Sequence, residues 1–180
     1  MLKHINSLKI NNVYLSAIKL FKMIKDKTIA LIAHDARKAD MIEWVKHNVE
    51  TLFKNILVCT GTTGGLVEKT LEEYAKENNK TKPYNMIKMK SGPMGGDAQI
   101  AAMVVEGKVD LCIFLIDDLS ANPHEADIMM LLRQCRIHNI PVACNRHSAD
   151  LMITSDLWST DYKPTTPIYR KFDREKSSIY

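Results

Sequence analysis

At 180 residues the chain has room for one domain with a sizeable buried core and not for two comfortable ones. Hydrophobic residues make up 46% and charged residues 26%, and no apolar run approaches the roughly 20 residues of a membrane-spanning helix, so neither a disordered nor a bilayer-crossing chain is expected. A net charge of +4 and a pI near 8.8, with acids interspersed among the Lys and Arg, suit a small anionic ligand better than nucleic acid, which calls for a concentrated basic face.

The first 27 residues hold no acid before Asp26 and carry Lys3, Lys9, Lys19, Lys22 and Lys25 among scattered apolar positions. They lack Arg, an uninterrupted apolar run and a small-residue cleavage site, so residues 1–27 are expected to form a helical, surface-packed extension of a cytoplasmic protein. From Thr28 onward, short strand-like runs alternate with helical patterns. The runs are TIALIA at 28–33, NILVCT at 55–60, YNMIKM at 84–89, LCIFLI at 111–116 and IPVAC at 140–144. Most are too nearly all-apolar for one-sided strands, which predicts burial on both faces of a parallel sheet. Helices are expected near 38–53, 64–78, 97–106, 124–138 and 147–154, with ENNKTKP at 77–83 as a surface loop. The alternation predicts an α/β fold: a three-layer, doubly wound, five-stranded parallel sheet. Residues 28–160 form the predicted domain, and the charged, proline-containing stretch 161–180 reads as a C-terminal arm. Cys59, Cys112, Cys135 and Cys144 lack CxxC spacing and are expected to be buried thiols of a reducing compartment.

Ligands of open α/β sheets bind beyond the carboxyl ends of the strands, and there the unusual polar residues gather. His34-Asp35 with Lys38 follow the first strand, TGTTG at 60–64 the second, and SGPMGGD at 91–97 the third; Asp117-Asp118, His124 and Asp127 follow the fourth, and Asn145 to His147 the fifth. TGTTG opens into a helix, whose free amides and dipole suit a phosphate neutralised by Lys38; the bland alternative is a tight turn. Asp97 reads either as a helix N-cap or as a catalytic base, and the glycines before it, which permit close packing against a substrate, favour the base. Asp127 lies one turn from His124, where a carboxylate can orient an imidazole for proton transfer or for polarising a carbonyl. His4, His47 and His138 are assigned to structure or solvent, and the ten methionines to core filling.

Six segments together resemble one family. IALIAHD at 29–35, TGTTG at 60–64, KSGPMGGDAQ at 90–99, EGKVDLCIF at 106–114, NPHEADIMMLLR at 122–133 and NIPVACN at 139–145 are similar to methylglyoxal synthase, in unbroken order from about Thr28 to Ser155. The resemblance implies a flavodoxin-like sheet, a homohexamer, and a lyase that turns dihydroxyacetone phosphate into methylglyoxal and inorganic phosphate without metal or organic cofactor. It implies that Asp97 is the proton acceptor and donor, with Asp35, Asp117, His124 and Asp127 also in the catalytic set. His34, Lys38, Thr60, Gly61, Thr62, Thr63, Ser91, Gly92 and His124 are implied to line the substrate site, the Thr and Ser-Gly elements mainly around phosphate, and inorganic phosphate to inhibit. Asp118 where proline is common, Ala98 in place of the first Gln after the acid, the N-terminal extension and the lengthening near 76–84 depart from the family's pattern.

Two rivals are weaker. A regulatory module like those attached to carbamoyl phosphate synthetase would keep a phosphate cradle while losing the base, whereas Asp97, His124 and Asp127 are all present. A response-regulator receiver would carry paired acids after the first strand and a lysine after the fifth, where this chain has His34-Asp35 and Asn145.

Overall fold

A computed structural model describes residues 26–81, 84–121, 124–160, 162, 164, 165 and 167. The expected N-terminal helix therefore lies outside the described residues, as does most of the C-terminal arm.

The elements follow the predicted order: β1 (Thr28–Ala33), α1 (Lys38–His47), α2 (Val49–Phe53), β2 (Ile56–Cys59), α3 (Gly61–Glu77), β3 (Asn85–Lys88), α4 (Gly96–Val105), β4 (Leu111–Leu115), α5 (Glu125–Ile137), β5 (Val142–Ala143) and α6 (Arg146–Ile153). The helix expected over 38–53 is divided at Asn48, whose side-chain amide donates to the Trp44 carbonyl and competes with the helical ladder. All strand pairs are parallel, in the order β3-β2-β1-β4-β5. The three-layer parallel sheet is as expected. Its strand order is not that of flavodoxin, which runs 2-1-3-4-5, because here both β2 and β3 lie on one side of β1.

Strand periodicity divides the core. Ile29, Leu31, Leu57, Leu111 and Ile113 face a cluster with Trp44 and Val45 of α1, Leu52 of α2, Val67 and Leu71 of α3, and Ala149 of α6. Ala30, Ile32, Val58, Cys112 and Phe114 face the other layer, with Ile100 and Val104 of α4 and Leu131 and Cys135 of α5. Each fully buried large side chain contributes about 1.5–3 kcal/mol relative to exposure. Central β1 and β4 are buried nearly throughout, whereas edge strand β3 is mostly exposed, and Lys88 on it pairs with Glu68 at 2.8 Å. The direction in which successive strands are added to the sheet reverses between β1 and β4, which leaves a crevice at their carboxyl ends.

One expectation about the thiols is corrected. Cys59, Cys112 and Cys135 are buried, and burial pushes the Cys59 thiol up to about 12, but Cys144 is exposed. The β5 strand ends at Ala143, so Cys144 already belongs to the turn leading into α6.

Candidate active site

A cavity of about 330 Å³ opens at the carboxyl ends of the strands, its wall including His34, Lys38, Thr63, Ser91, Asp97 and His124. Each residue arrives there through the backbone that carries it. Pairing of β1 with β4 continues one residue past Ala33, the His34 N–H donating to the Leu115 carbonyl at 3.2 Å, and this delivers His34 to the crevice. Its ring stands edge-on to Phe114, centroids 5.2 Å apart. The Asp117 backbone N–H donates to His34 Nδ1 at 2.9 Å, so the neutral ring carries its proton on Nε2, a buried atom without a partner among the described residues. Burial, and then the neighbouring His124 imidazole, hold the His34 pKa below the ordinary histidine value. His34 is therefore a neutral donor aimed from a fixed ring.

Asp97 sits in the first turn of α4, but Gly95 occupies the N-cap position. The N-cap alternative is thereby set aside. Asp97 is 1% exposed, and neither carboxylate oxygen has a hydrogen-bond partner among the described residues. His124 Nε2 lies 3.4 Å from Asp97 Oδ2, a contact too long for a strong hydrogen bond. Burial raises the Asp97 pKa, opposed by the imidazoles of His124 and His34 and assisted by the charge of Asp127. A buried carboxylate with no satisfied oxygen is costly to fold, and such groups concentrate where chemistry needs them.

The TGTTG segment is the N-terminus of the 17-residue α3. Thr60 makes no side-chain cap. The Gly61 N–H donates to the Lys90 carbonyl at 3.0 Å and that of Gly64 to the Thr60 carbonyl at 2.7 Å. This leaves the amides of Thr62 and Thr63 without an acceptor among the described residues, and the buried Thr63 hydroxyl is likewise unpartnered. Free amides at the positive end of a long helix bind anions. Across the cavity mouth Lys38 pairs with Asp35 at 2.5 Å; the Lys38 side chain is 19% exposed and that of Asp35 is 96% exposed. Lys38 holds the Asp35 carboxyl below its usual range.

The cavity thus gathers His34, Asp35, Lys38, Thr60, Thr62, Thr63, Ser91, Gly92, Asp97, Asp117 and His124 on one wall or another. Gly61 is not on the wall, and a Cβ there would meet the Ser91 amide nitrogen at 3.1 Å. Two acids behave differently from what their spacing suggests. Asp117 turns its carboxylate onto its own loop, accepting the Ser120 hydroxyl at 2.5 Å and the Leu119 amide at 3.2 Å, which lowers its pKa; what it offers His34 is the backbone N–H. Asp127 is absent from the cavity wall, and His124 Nδ1 has no hydrogen-bond partner among the described residues, so the carboxylate-to-imidazole bond is not formed. The fifth rim position contributes nothing to this cavity, since Asn145 caps α6 by accepting the Ser148 amide at 2.9 Å. Sequence reasoning passed over Ser120, also on the wall, and Gln99, whose Oε1 accepts the Lys90 amide at 2.9 Å.

Comparison with known proteins gives a consistent picture. Residues 40–144 match the model of the MGS-like domain. A methylglyoxal synthase from Treponema socranskii is 57% identical over 148 residues, covering 82% of this chain and 90% of that protein. One from Coxiella burnetii is 42% identical over 146 residues, 81% of this chain and 94% of that one. The crystal structure of methylglyoxal synthase from Elizabethkingia anophelis superposes with a TM-score of 0.70 at 35% identity, covering 82% of this chain and 90% of that one. By sequence and by fold, this chain belongs to the methylglyoxal synthase family.

Proposed function

We propose that the protein is a carbon-oxygen lyase that converts dihydroxyacetone phosphate to methylglyoxal and inorganic phosphate, with residues 28–160 as the catalytic unit. The observation that carries this reading is the buried, unpartnered Asp97 carboxylate 3.4 Å from His124 Nε2, in a cavity shared with the open amide end of α3.

Asp97 removes a proton from the hydroxymethyl carbon, α to the ketone. Its raised pKa makes it a better base than a solvated carboxylate, whose value near 3.9 leaves it feeble. Negative charge develops on the ketone oxygen, and the fixed Nε2–H of His34 is suited to meet it, with His124 shuttling protons beside Asp97. Lys38, Thr60, Thr62, Thr63, Ser91 and Gly92, with Gly61 behind them, cradle the phosphate end. Phosphate departs when its C–O bond stands perpendicular to the enediolate plane, where that bond overlaps the π system. The enol left behind takes up a proton at carbon and becomes methylglyoxal. Asp35 is the counter-ion of Lys38, Asp117 positions His34 through its amide, and Asp127 acts on Asp97 through charge.

The assignment of parts predicts a division of kinetic effects. Lys38→Ala is expected to raise KM about tenfold with a smaller change in kcat, and His124→Ala to lower kcat about 100-fold with little change in KM. Steady-state release of phosphate and methylglyoxal from dihydroxyacetone phosphate measures both, and the reverse pattern would exchange the two roles. Absence of either product with the unaltered protein would sink the functional reading itself.

We further infer a cytoplasmic homohexamer inhibited by inorganic phosphate. Among the described residues no helix is long and apolar enough to cross a membrane. Exposed Leu119, Met94 and Leu151 offer apolar surface for association between subunits. The cradle proposed for the substrate's phosphate would accept the free ion equally.

A further inference from the structure

Gln99 lies on α4 two residues beyond Asp97, exposed to solvent and outside the cavity wall. Its side-chain oxygen accepts the Lys90 amide at 2.9 Å, and the carbonyl of Lys90 accepts the Gly61 N–H at 3.0 Å. One residue is therefore tied on one side to the helix that carries Asp97 and on the other to the helix whose open end receives an anion. Packing leaves this residue no slack: a Cβ on Gly96 would fall 2.0 Å from the Lys90 carbonyl oxygen, and one on Gly61 would fall 3.4 Å from the Lys90 carbonyl carbon.

We propose that Gln99 is a positioning residue: through Lys90 it sets the distance and angle between the base and the phosphate cradle, and so decides whether the enediolate expels phosphate or takes its proton back. The proposal rests on the functional reading above and deepens it. After Asp97 has taken the proton, the intermediate has two exits. In one, the oxygen on the former hydroxymethyl carbon gives up its proton and forms an aldehyde carbonyl, the enediolate π pair moves to join the ketone carbon to the phosphate-bearing carbon, and the C–O bond there breaks, phosphate leaving with that bond pair. In the other, the Asp97 carboxyl exchanges its proton with solvent and returns one to the same carbon, regenerating the substrate. The first exit needs the C–O bond held out of the enediolate plane, whereas the second is indifferent to it. A loosened brace slows elimination and leaves return untouched.

The test runs the reaction in heavy water with Gln99→Met, which keeps length and removes the acceptor, and Gln99→Glu, which keeps an acceptor oxygen. Deuterium on the hydroxymethyl carbon of recovered substrate, divided by methylglyoxal formed, is the readout. In Gln99→Met this ratio is expected to rise about fivefold, as kcat for methylglyoxal falls by a similar factor and KM moves less, matching the loss of one ordinary hydrogen bond. Gln99→Glu is expected to restore the ratio of the unaltered protein. An unchanged ratio in Gln99→Met, an equal rise in both variants, or failure of both to fold would each overturn the proposal. The functional reading fails separately, only if the unaltered protein forms no methylglyoxal.

Discussion

Exchanging Asp97 for asparagine is expected to lower kcat for methylglyoxal formation by about 10²–10⁴-fold, the range a positioned general base supplies, while making the folded chain more stable at neutral pH. The two effects have one cause. Asp97 is 1% exposed, and its oxygens find no donor among the described residues. Burial raises its pKa in the folded state, against the opposing influence of His124 and His34. For a group whose folded pKa lies above its unfolded value, the contribution to stability is fully present below the unfolded pKa and is lost as pH rises through the folded one. As pH rises the native protein therefore takes on the penalty of ionising a buried carboxylate. Asparagine carries no charge, though its amide remains unsatisfied, so the net gain is about 1 kcal/mol, or about 2–4 °C in Tm for a chain of this size. Thermal melts of both proteins at neutral pH and again below about pH 4 decide the matter, since at low pH Asp97 is protonated and the two should converge. A variant that keeps its activity, or melts lower at neutral pH, would remove the base from the mechanism.

The central strands were the most legible part of the chain, because residues buried on both faces of a parallel sheet have no polar alternation to confuse them: TIALIA and LCIFL appear in the structure within a residue of their predicted bounds. Strand order was not legible. Helical crossovers of similar length connect either arrangement, and only the packed layers show that α3 lies with α1 while α4 lies on the opposite face. The rule that strand ends hold ligands led to the candidate cavity, where four of the five predicted rim positions meet. What each acid does there was not. Spacing places Asp127 one turn from His124, but the bond depends on rotamers that spacing does not set. Asp117 found nearer donors in Ser120 and Leu119, a local turn that outcompetes a longer reach into the cavity. Gln99 stood inside the segment KSGPMGGDAQ and was given no role, since a long amide on a helix surface is hard to tell in sequence from solvent-facing filler.

The glycines of SGPMGGD were read together as room for a substrate, and the structure separates them into three different jobs with three expected outcomes. Of the three, Gly92 alone lines the cavity. A Cβ there would lie 3.1 Å from Asp97 Oδ2 and 3.1 Å from His124 Nε2, in the space between base and imidazole. Gly92→Ala should fold with near-native Tm and lose activity, because the methyl occupies the ground on which the reacting carbon must sit. Gly95 adopts φ +90°, and a Cβ on it would meet nothing within 4 Å. Gly95→Ala should cost about 1 kcal/mol of left-handed backbone strain and leave kcat nearly unchanged. Gly96 is the position with the largest effect. Its Cβ would stand 2.0 Å from the Lys90 carbonyl oxygen and 2.9 Å from both the Lys90 carbonyl carbon and the Ser91 carbonyl oxygen. All three obstacles are backbone, and the Gly61 and Gly96 amides already bind these carbonyls at 3.0 and 2.9 Å, so no side chain can swing aside. Relief requires α4 and the loop after β3 to part by about 1 Å, overpacking that typically costs about 1–3 kcal/mol. Because Asp97 is the next residue, the same shift carries the base away from its substrate, and a misplacement of that size can reduce turnover by about 100-fold. Gly96→Ala is thus expected to lose stability and activity together, Gly92→Ala activity alone, and Gly95→Ala a little stability alone. Melting curves and kcat on the three variants read all of this in one experiment. Should Gly96→Ala retain both properties, the close approach of α4 to Lys90 on which the site's geometry rests would be wrong.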